Sequence, residues 1–539
     1  MNKVKYIYKY IFCFINALIG LFTIKFHYTM LDLFGKNNEV YLDKFKLTDI
    51  LLFILFFIIW LVLFYILDKL LNKIKPKKKL LNISNKKLFI RCIIIFLVLW
   101  SPYYLSYMPG GVYTDTYQQL KQAIYGITGN GFPVFYTLLL RLLYYISFKN
   151  TTVLFTILTL IQLLLYMSIF SYFIIWLKNK KVSKTYIIIC ILFFALYPRI
   201  PIYALSLWKD SLFSIFLFIY ILKLYDVIES KGLILEDNKE VIKYILLCVL
   251  VALFRNNGYY IIFILSGILF IKYRNNIKYL KPFYIGTSVT LLLCIFTYNI
   301  LFPILGYKTP YKENIGVNIQ QIAYVISNED NIDDNTLNII NNIMPIEVIK
   351  DNYTPMNVDS LKTLYAFNDD YLNKHKLEFW NVYFKLMIRY PKDYIKALLF
   401  NNVGFWNYYL TSYYSGSNSL IDYYEVTDAN IPEEGDISNN IDIFKNIFGF
   451  SIRNKLYEIT SYLNNCAIGS LIVFISIYIL ISRKKLERII LYLPSLFIFF
   501  ILFIEAPVAF SSRYIIYTIF FIPLSIIIPF IDNKKRLRN

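Results

Sequence analysis

Long apolar runs separated by short basic loops dominate the chain. Runs near the ~20 residues that cross a bilayer recur close to residues 6–26, 48–68, 90–107, 152–177, 185–205, 211–228, 241–255, 258–273, 282–302, 464–482, 487–504 and 514–531. They are continuous rather than alternating, and backbone groups in lipid must be satisfied within their own segment or in a closed barrel, so the pattern predicts helices. The expected fold is an all-α polytopic membrane protein of about 12 transmembrane helices. The first run follows Lys3, Lys5 and Lys9 in the manner of a signal peptide. Phe26, His27 and Tyr28 stand where small residues would mark cleavage, so it reads as a retained anchor.

The stretch 303–460 breaks this pattern. It holds 20 of the chain's 35 acids and only scattered apolar turns such as Ile319-Gln320-Gln321-Ile322-Ala323-Tyr324-Val325-Ile326, which predicts an extracytoplasmic mixed, mainly helical domain. Residues 1–302 then form a membrane bundle with a first external loop and interfacial helix near 108–148, and residues 461–539 supply C-terminal transmembrane helices. Tyr390-Pro391-Lys392-Asp393 opens a helix with Pro in its first turn. That helix either packs on the outer membrane face or re-enters the bilayer near 393–410. Ser415–Gly435 reads as a loop through its Ser-Gly and Pro-Glu-Glu-Gly breakers.

A formal charge of +21 would suit nucleic acid, but the cations cluster in short loops: Lys75-Pro76-Lys77-Lys78-Lys79, Lys178-Asn179-Lys180-Lys181, Lys272 to Lys281, Arg483-Lys484-Lys485 and Lys534-Lys535-Arg536. The positive-inside rule accounts for all five if both termini are cytoplasmic, and no nucleic-acid partner is expected. This holds only if Pro133–Phe148 does not cross, so that stretch is assigned to the interface. Cys13, Cys92, Cys190, Cys248, Cys294 and Cys466 lie in or beside apolar runs without metal-ligand spacing, so neither a disulfide framework nor a zinc site is indicated. With His27 and His375 as the two histidines, no Ser/His/Asp set and no Gly-rich phosphate loop can be assembled. The 50 Tyr and 46 Phe read mostly as lipid-facing packing and interfacial belt.

Candidate chemistry begins at Asp115, in Pro109-Gly110-Gly111-Val112-Tyr113-Thr114-Asp115-Thr116 just beyond an apolar run. A carboxylate at a membrane boundary is expensive to desolvate and tends to mark a substrate or proton site; the alternative is a turn aspartate after Pro-Gly-Gly. A second acid, Asp210 in Trp208-Lys209-Asp210-Ser211, falls on the same side, where it either caps the next helix or shares the site. Arg199, Lys209, Arg255 in Arg255-Asn256-Asn257-Gly258 and Arg513 also map to outer ends. Cations are depleted there, so these ask for a reason: a lipid phosphate, which suits the planar guanidinium fork, or snorkelling and pairing with the acidic domain. Glu505 is either an ion-pair partner for Arg513 or a site residue, and Trp208 is placed to stack on a sugar.

The order and sidedness of these segments resemble the C-type glycosyltransferase superfold, integral membrane enzymes that take a sugar from a polyprenyl-phosphate carrier. The shared layout is an early span, an external loop with an acid (Asp115), an interfacial helix introduced by Pro133, and a second external acid (Asp210) near the start of a later span. Within the superfold the chain is most similar to a bacterial family of uncharacterised membrane proteins, through Pro109-Gly110 with Asp115, Trp208-Lys209-Asp210, Arg255-Asn256-Asn257-Gly258 and Ser512-Arg513-Tyr514; the resemblance covers residues 90–260 best.

It implies a cell-membrane, multi-pass transferase with an extracytoplasmic active face. Asp115 would be the catalytic base and Asp210 would orient the acceptor or a bound cation. Trp208, Lys209, Arg255, Asn257 and Arg513 would bind substrate, the arginines clamping the phosphate. Donor and acceptor would be a lipid-linked sugar and a glycan, lipid or protein. Many members carry His-Pro where this chain has Phe132-Pro133, and paired acids where Asp115 stands between Thr114 and Thr116, so no metal ligand is assigned and a divalent cation stays open. A flippase of lipid-linked saccharides would keep similar outward cations but calls for inverted repeats and matched broken spans. A non-enzymatic envelope-assembly scaffold leaves the two acids unexplained.

Overall fold

The structure is a computed structural model and describes residues 2–29, 39–73, 79–126, 131–255, 257–273, 277–301, 304, 310–410, 442–452, 465–506 and 508–531. The expected loop at Ser415–Gly435, the C-terminal basic tail, most of the Lys75–Lys79 cluster, Asn256 and Pro507 lie outside the described residues. The first half contains α1 (Asn2–Lys25), a β-hairpin of β1 (Phe26–Thr29) and β2 (Glu39–Leu42), α2 (Asp49–Lys73), α3 (Asn85–Ser106), α4 (Thr114–Tyr125), α5 (Val134–Ile146), α6 (Thr151–Asn179), α7 (Lys184–Leu196), α8 (Arg199–Leu205), α9 (Lys209–Glu229), α10 (Asn238–Phe254), α11 (Gly258–Tyr273) and α12 (Ile277–Phe296). A run of shorter helices follows: α13 (Gly316–Asn328), α14 (Asp334–Ile343), α15 (Ile346–Asn352), α16 (Asp359–Lys362), α17 (Asp369–Lys374), α18 (Lys376–Arg389), α19 (Pro391–Asn401) and α20 (Val403–Trp406). The chain closes with α21 (Ile443–Phe448), α22 (Ile468–Ser482), α23 (Leu493–Glu505) and α24 (Ile516–Ile527).

Among the described residues six helices are long and apolar enough to cross a membrane: Lys3–Lys25, Asp49–Asn72, Asn85–Ser106, Thr151–Asn179, Lys209–Glu229 and Leu486–Glu505, the last including a 3-10 turn before α23. A seventh is counted if α7 and α8 form one span bent by 55°. The expected run at 185–205 is therefore broken at Tyr197-Pro198, where Pro restricts the preceding residue to extended backbone. Several other expected spans appear as shorter apolar helices, including Gly258–Tyr273, Ile468–Ser482 and Ile516–Phe530. The expected interfacial helix is α5, with Pro133 at its N-cap, packed on α4, α6 and α10.

Ion pairs gather at the two ends of the bundle. At one end Lys5 meets Asp68 at 2.8 Å, Lys180 meets Asp226 at 2.6 Å, Lys272 meets Glu487 at 3.3 Å and Arg488 meets Glu229 at 2.8 Å. Two of these contacts, through Lys180 and Lys272, draw on the basic loops that the charge pattern assigns to one side. The other end carries Asp115, Asp210, Arg255 and Arg513. Asp210 and Glu229 lie in the first and last turns of α9, about 28 Å apart at 1.5 Å per residue, close to the ~30 Å of a hydrocarbon core.

The bundle packs around one continuous apolar core running from Leu88 to Ile531. Residues from Ile315 to Tyr394 bury a second core of their own, with Val325, Leu361 and Leu372 at its centre, so the acid-rich stretch is a separately packed helical unit. Its Pro391 does sit in the first turn of a helix, α19. The unit rests on the Asp115 end of the bundle: Ala509 N–H donates to the Met356 carbonyl at 2.9 Å, and the side-chain amide of Asn401 donates to the Ala506 carbonyl at 2.8 Å.

Candidate functional site

The site is built around a short extended link, residues 206–208, between α8 and α9. Non-helical backbone buried at the end of a helix bundle must find partners for its polar groups. Three side chains supply them. The Gln162 amide donates to the carbonyls of Tyr203, Ala204 and Ser206 at 3.3, 3.0 and 2.7 Å, while Thr116 and Tyr136 both donate to the Leu207 carbonyl at 2.8 and 2.6 Å. Gly111 adds a two-way backbone link, its N–H to Leu205 O at 3.0 Å and its carbonyl from Leu207 N–H at 2.9 Å. At Gly110 (φ +152°) a Cβ would stand 2.1 Å from Thr159 Oγ1, so only glycine lets the Asp115 segment approach so closely. These contacts fix α4 against the start of α9 and bring Asp115 to Lys209.

Asp115 is not a turn aspartate: it occupies the first turn of α4, where its charge complements the helix dipole. Its Oδ2 accepts from Lys209 Nζ at 3.1 Å and from Arg513 Nη1 at 2.8 Å. Burial works against its charge, yet Arg513 and Lys209 outweigh that cost and hold the carboxyl well below the usual range. Asp210 does not act as an N-cap. The cap residue of α9 is Trp208, with no side-chain cap bond, and the Asp210 carboxylate, 1% exposed, meets Arg255 Nη1 at 3.3 Å. That contact lacks hydrogen-bond alignment, so it is Coulombic in character. Arg255 reaches it from the tight turn before α11, where a Cβ on Gly258 would stand 2.0 Å from the Val251 carbonyl.

Tyr514, which the sequence reading used only as part of a motif, ties the two pairs together. Its ring lies under both guanidinium groups, 4.7 Å from Arg513 Cζ and 5.7 Å from Arg255 Cζ, and its hydroxyl accepts from Arg513 Nη2 at 2.5 Å. Burial pushes this phenol up to about 12, partly offset by Arg513. Asp359 of the helical unit adds to that rise, while its own carboxylate pairs with Lys362 at 3.1 Å. Adjacency to Arg513 was the only sequence signal for Tyr514, and none pointed to Asp359.

Two expectations are corrected, for Trp208 and Arg199, and one alternative for Glu505 is dropped. Trp208 is 3% exposed, with Tyr113 stacked on it at 3.9 Å and Arg513 Cζ 5.5 Å from its ring, so no face is open to a sugar. Of the two alternatives for Glu505, the structure does not pair it with Arg513; its carboxylate accepts from the amide of Asn257, an expected site residue, at 2.8 Å. Arg199, expected as an outward cation, is fully enclosed. The remaining expected residues do converge: Asp115, Lys209, Asp210, Arg255 and Arg513 form one cluster of three cations and two carboxylates.

Beside it, Arg255 and Asn257 share a small cleft with the apolar side chains of Phe213, Ile261, Phe497, Ile498, Ile501 and Leu502. Among the described residues no group of three or more His, Cys, Asp or Glu side chains comes together. The two site acids already face cations, a poor donor set for a divalent ion. The fold and the site together define a helical protein with membrane-length helices and a cluster of paired charges at one end of the bundle. Residues 129–539 match the model of a family of unknown function (DUF6020), and the chain belongs to that family. No curated protein and no solved structure matches it.

Proposed function

We propose that the protein is a membrane glycosyltransferase, of about twelve spans, that moves a sugar from a polyprenyl-phosphate donor to an extracytoplasmic acceptor. The observation that carries this reading is the shared carboxylate: one oxygen of Asp115 holds both Lys209 and Arg513 beside the Asp210–Arg255 pair. Three cations against two acids leave one positive charge for an anion, and the apolar cleft at Arg255 suits the chain of a lipid that carries it. The helical unit around 315–394 would then stand on the acceptor side.

A phosphate entering the cluster competes with Asp115 for Lys209 and Arg513. The carboxylate it releases becomes the base. The acceptor hydroxyl oxygen bonds to the anomeric carbon while its proton passes to Asp115; the bond from that carbon to the phosphate oxygen breaks, and its electron pair leaves on the lipid phosphate. Cations rather than a general acid serve that leaving group, because it departs as a stabilised anion. Asp210 holds Arg255 at the phosphate rather than touching the acceptor.

A carrier of lipid-linked saccharides is the second reading, and the break between α7 and α8 is what favours it. The test is ligand stabilisation: polyprenyl phosphate should raise the melting midpoint of the reconstituted protein, and Arg513→Gln should remove most of that rise. Equal stabilisation of both proteins would leave the cluster without a role in donor binding.

A further inference from the structure

Helix α18 is apolar on two faces and buries only one of them. Phe379, Val382, Tyr383 and Leu386 turn into the core of the helical unit. Leu377, Phe384 and Ile388 stand 81%, 49% and 77% exposed, and with the half-buried Trp380 they fall at i, i+3, i+7 and i+11, one stripe along a helix. Phe384 stacks on Trp380 with ring centroids 5.7 Å apart, which joins the stripe to the packing of the unit. Single exposed apolar side chains are ordinary, but a continuous row of them marks a surface that meets something else.

Position and charge point to what it meets. Trp380 Nε1 donates to the Tyr311 hydroxyl at 2.9 Å, and the short 3-10 turn Tyr311–Ile315 packs on α23, the last part of the membrane-length helix that ends at Glu505. The stripe therefore stands one layer out from the end of that helix. Between Lys374 and Lys396 the chain carries six cations against two acids, Glu378 and Asp393, whereas the rest of residues 303–460 holds 18 acids and 7 cations. Lys385 and Lys396 are shared with Asp333 and Asp393, at 2.8 and 3.1 Å, while Arg389 and Lys392 are exposed. An apolar row with an aromatic pair and a basic margin is the pattern of a helix lying in a membrane surface, where Lys and Arg reach anionic headgroups.

We propose that α18 docks on the membrane surface at the Asp115 end of the bundle, with Leu377, Phe384 and Ile388 among the acyl chains and Arg389 and Lys392 at anionic lipid headgroups. Trp380 then lies at the boundary, where an amphipathic ring is favoured. Helix α23 also supplies Phe497, Ile498, Ile501 and Leu502 to the cleft at Arg255, so docking fixes the helical unit beside that cleft. It is independent of the chemistry at Asp115.

The test uses the full chain in vesicles of equal parts phosphatidylcholine and phosphatidylglycerol, with a nitroxide attached to Phe384→Cys, Ile388→Cys or Lys385→Cys. The six native cysteines are buried, and their background is read from the unsubstituted protein. Electron paramagnetic resonance compares collisions with oxygen, which concentrates in lipid, and with a water-soluble nickel chelate. The oxygen-to-nickel ratio at Phe384 and Ile388 should exceed that at Lys385 several-fold. Phosphatidylcholine alone, or Arg389→Gln with Lys392→Gln, should bring it down toward the Lys385 value. Equal ratios at the three positions, with both agents reaching the label, would overturn the docking. Shielding from both agents would put a protein surface over the stripe and overturn it equally. A ratio indifferent to phosphatidylglycerol and to the two Gln substitutions would overturn the headgroup contact.

Discussion

Replacing Asp115 by Asn separates two roles that its position combines. The carboxylate occupies the cations that the proposed lipid phosphate would need, at 3.1 Å from Lys209 and 2.8 Å from Arg513. Each contact is worth about 5–6 kcal/mol by Coulomb's law at an effective dielectric of 20. These side chains keep 15–22% of their surface exposed, and screening with lost hydration reduces the net figure to about 1.5–3 kcal/mol per charge-assisted bond. An incoming phosphate must displace at least one of them. Asp115→Asn removes that competition, so donor binding should tighten by about tenfold or more, the equivalent of ~1.4 kcal/mol. The same change removes the base, so transfer should fall by about 10²–10⁴-fold. Equilibrium binding of a polyprenyl-phosphate sugar to the reconstituted variant, with single-turnover product formation, reads both quantities. Donor binding that weakens would show that Asp115 does not compete for the cations, and near-normal transfer would show that it is not the base.

Arg255→Gln leaves Asp210 buried without its cation, so it should cost stability by about 3–5 kcal/mol, the usual effect of halving a buried pair. Asp210→Asn in the same chain should restore most of it, which thermal unfolding of the four proteins in a double-mutant cycle will read. Asp115's folded-state value lies below its unfolded ~3.9, so its stabilisation is complete above that unfolded value and is lost as pH falls through the lower folded one. The midpoint difference between wild type and Asp115→Asn should therefore stay flat from about pH 8 to 5 and shrink below about pH 4. Gly110→Ala meets Thr159 Oγ1 at 2.1 Å and should lower stability by about 2 kcal/mol or more, measured by thermal unfolding, with Thr159→Ser unable to rescue it. An alkaline phosphatase fusion in the Lys178–Lys184 loop should be inactive; activity there would move Pro133–Phe148 into the membrane and reverse the side assigned to the site.

Convergence of the charged residues was legible because cations expected at the outer ends of spans defy the positive-inside rule, and three of them, Lys209, Arg255 and Arg513, share one place. Their pairing was not. Which acid meets which cation depends on the link at 206–208, and that link is held by Gln162, Thr116 and Tyr136, residues with no distinguishing local pattern. The same limit hid the cover over Trp208: hydropathy says nothing of Tyr113 stacking on it from another segment. The choice left open for Glu505 depended on Asn257, a neutral residue in a distant turn that donates to it. The helical unit at 315–394 was visible from its acids and short apolar turns, since a segment that cannot span must bury a core of its own. The break at Tyr197-Pro198 could have been read from the proline, but unbroken hydropathy across 185–205 masked it.

The most direct test of the transferase is the lipid-linked sugar profile of cells lacking the gene, resolved by leaflet. The account predicts that one polyprenyl-phosphate sugar accumulates on the extracytoplasmic leaflet, that the wild-type gene clears it, and that the Asp115→Asn gene does not. Accumulation on the cytoplasmic leaflet would identify a carrier instead, and an unchanged profile would contradict the assignment altogether.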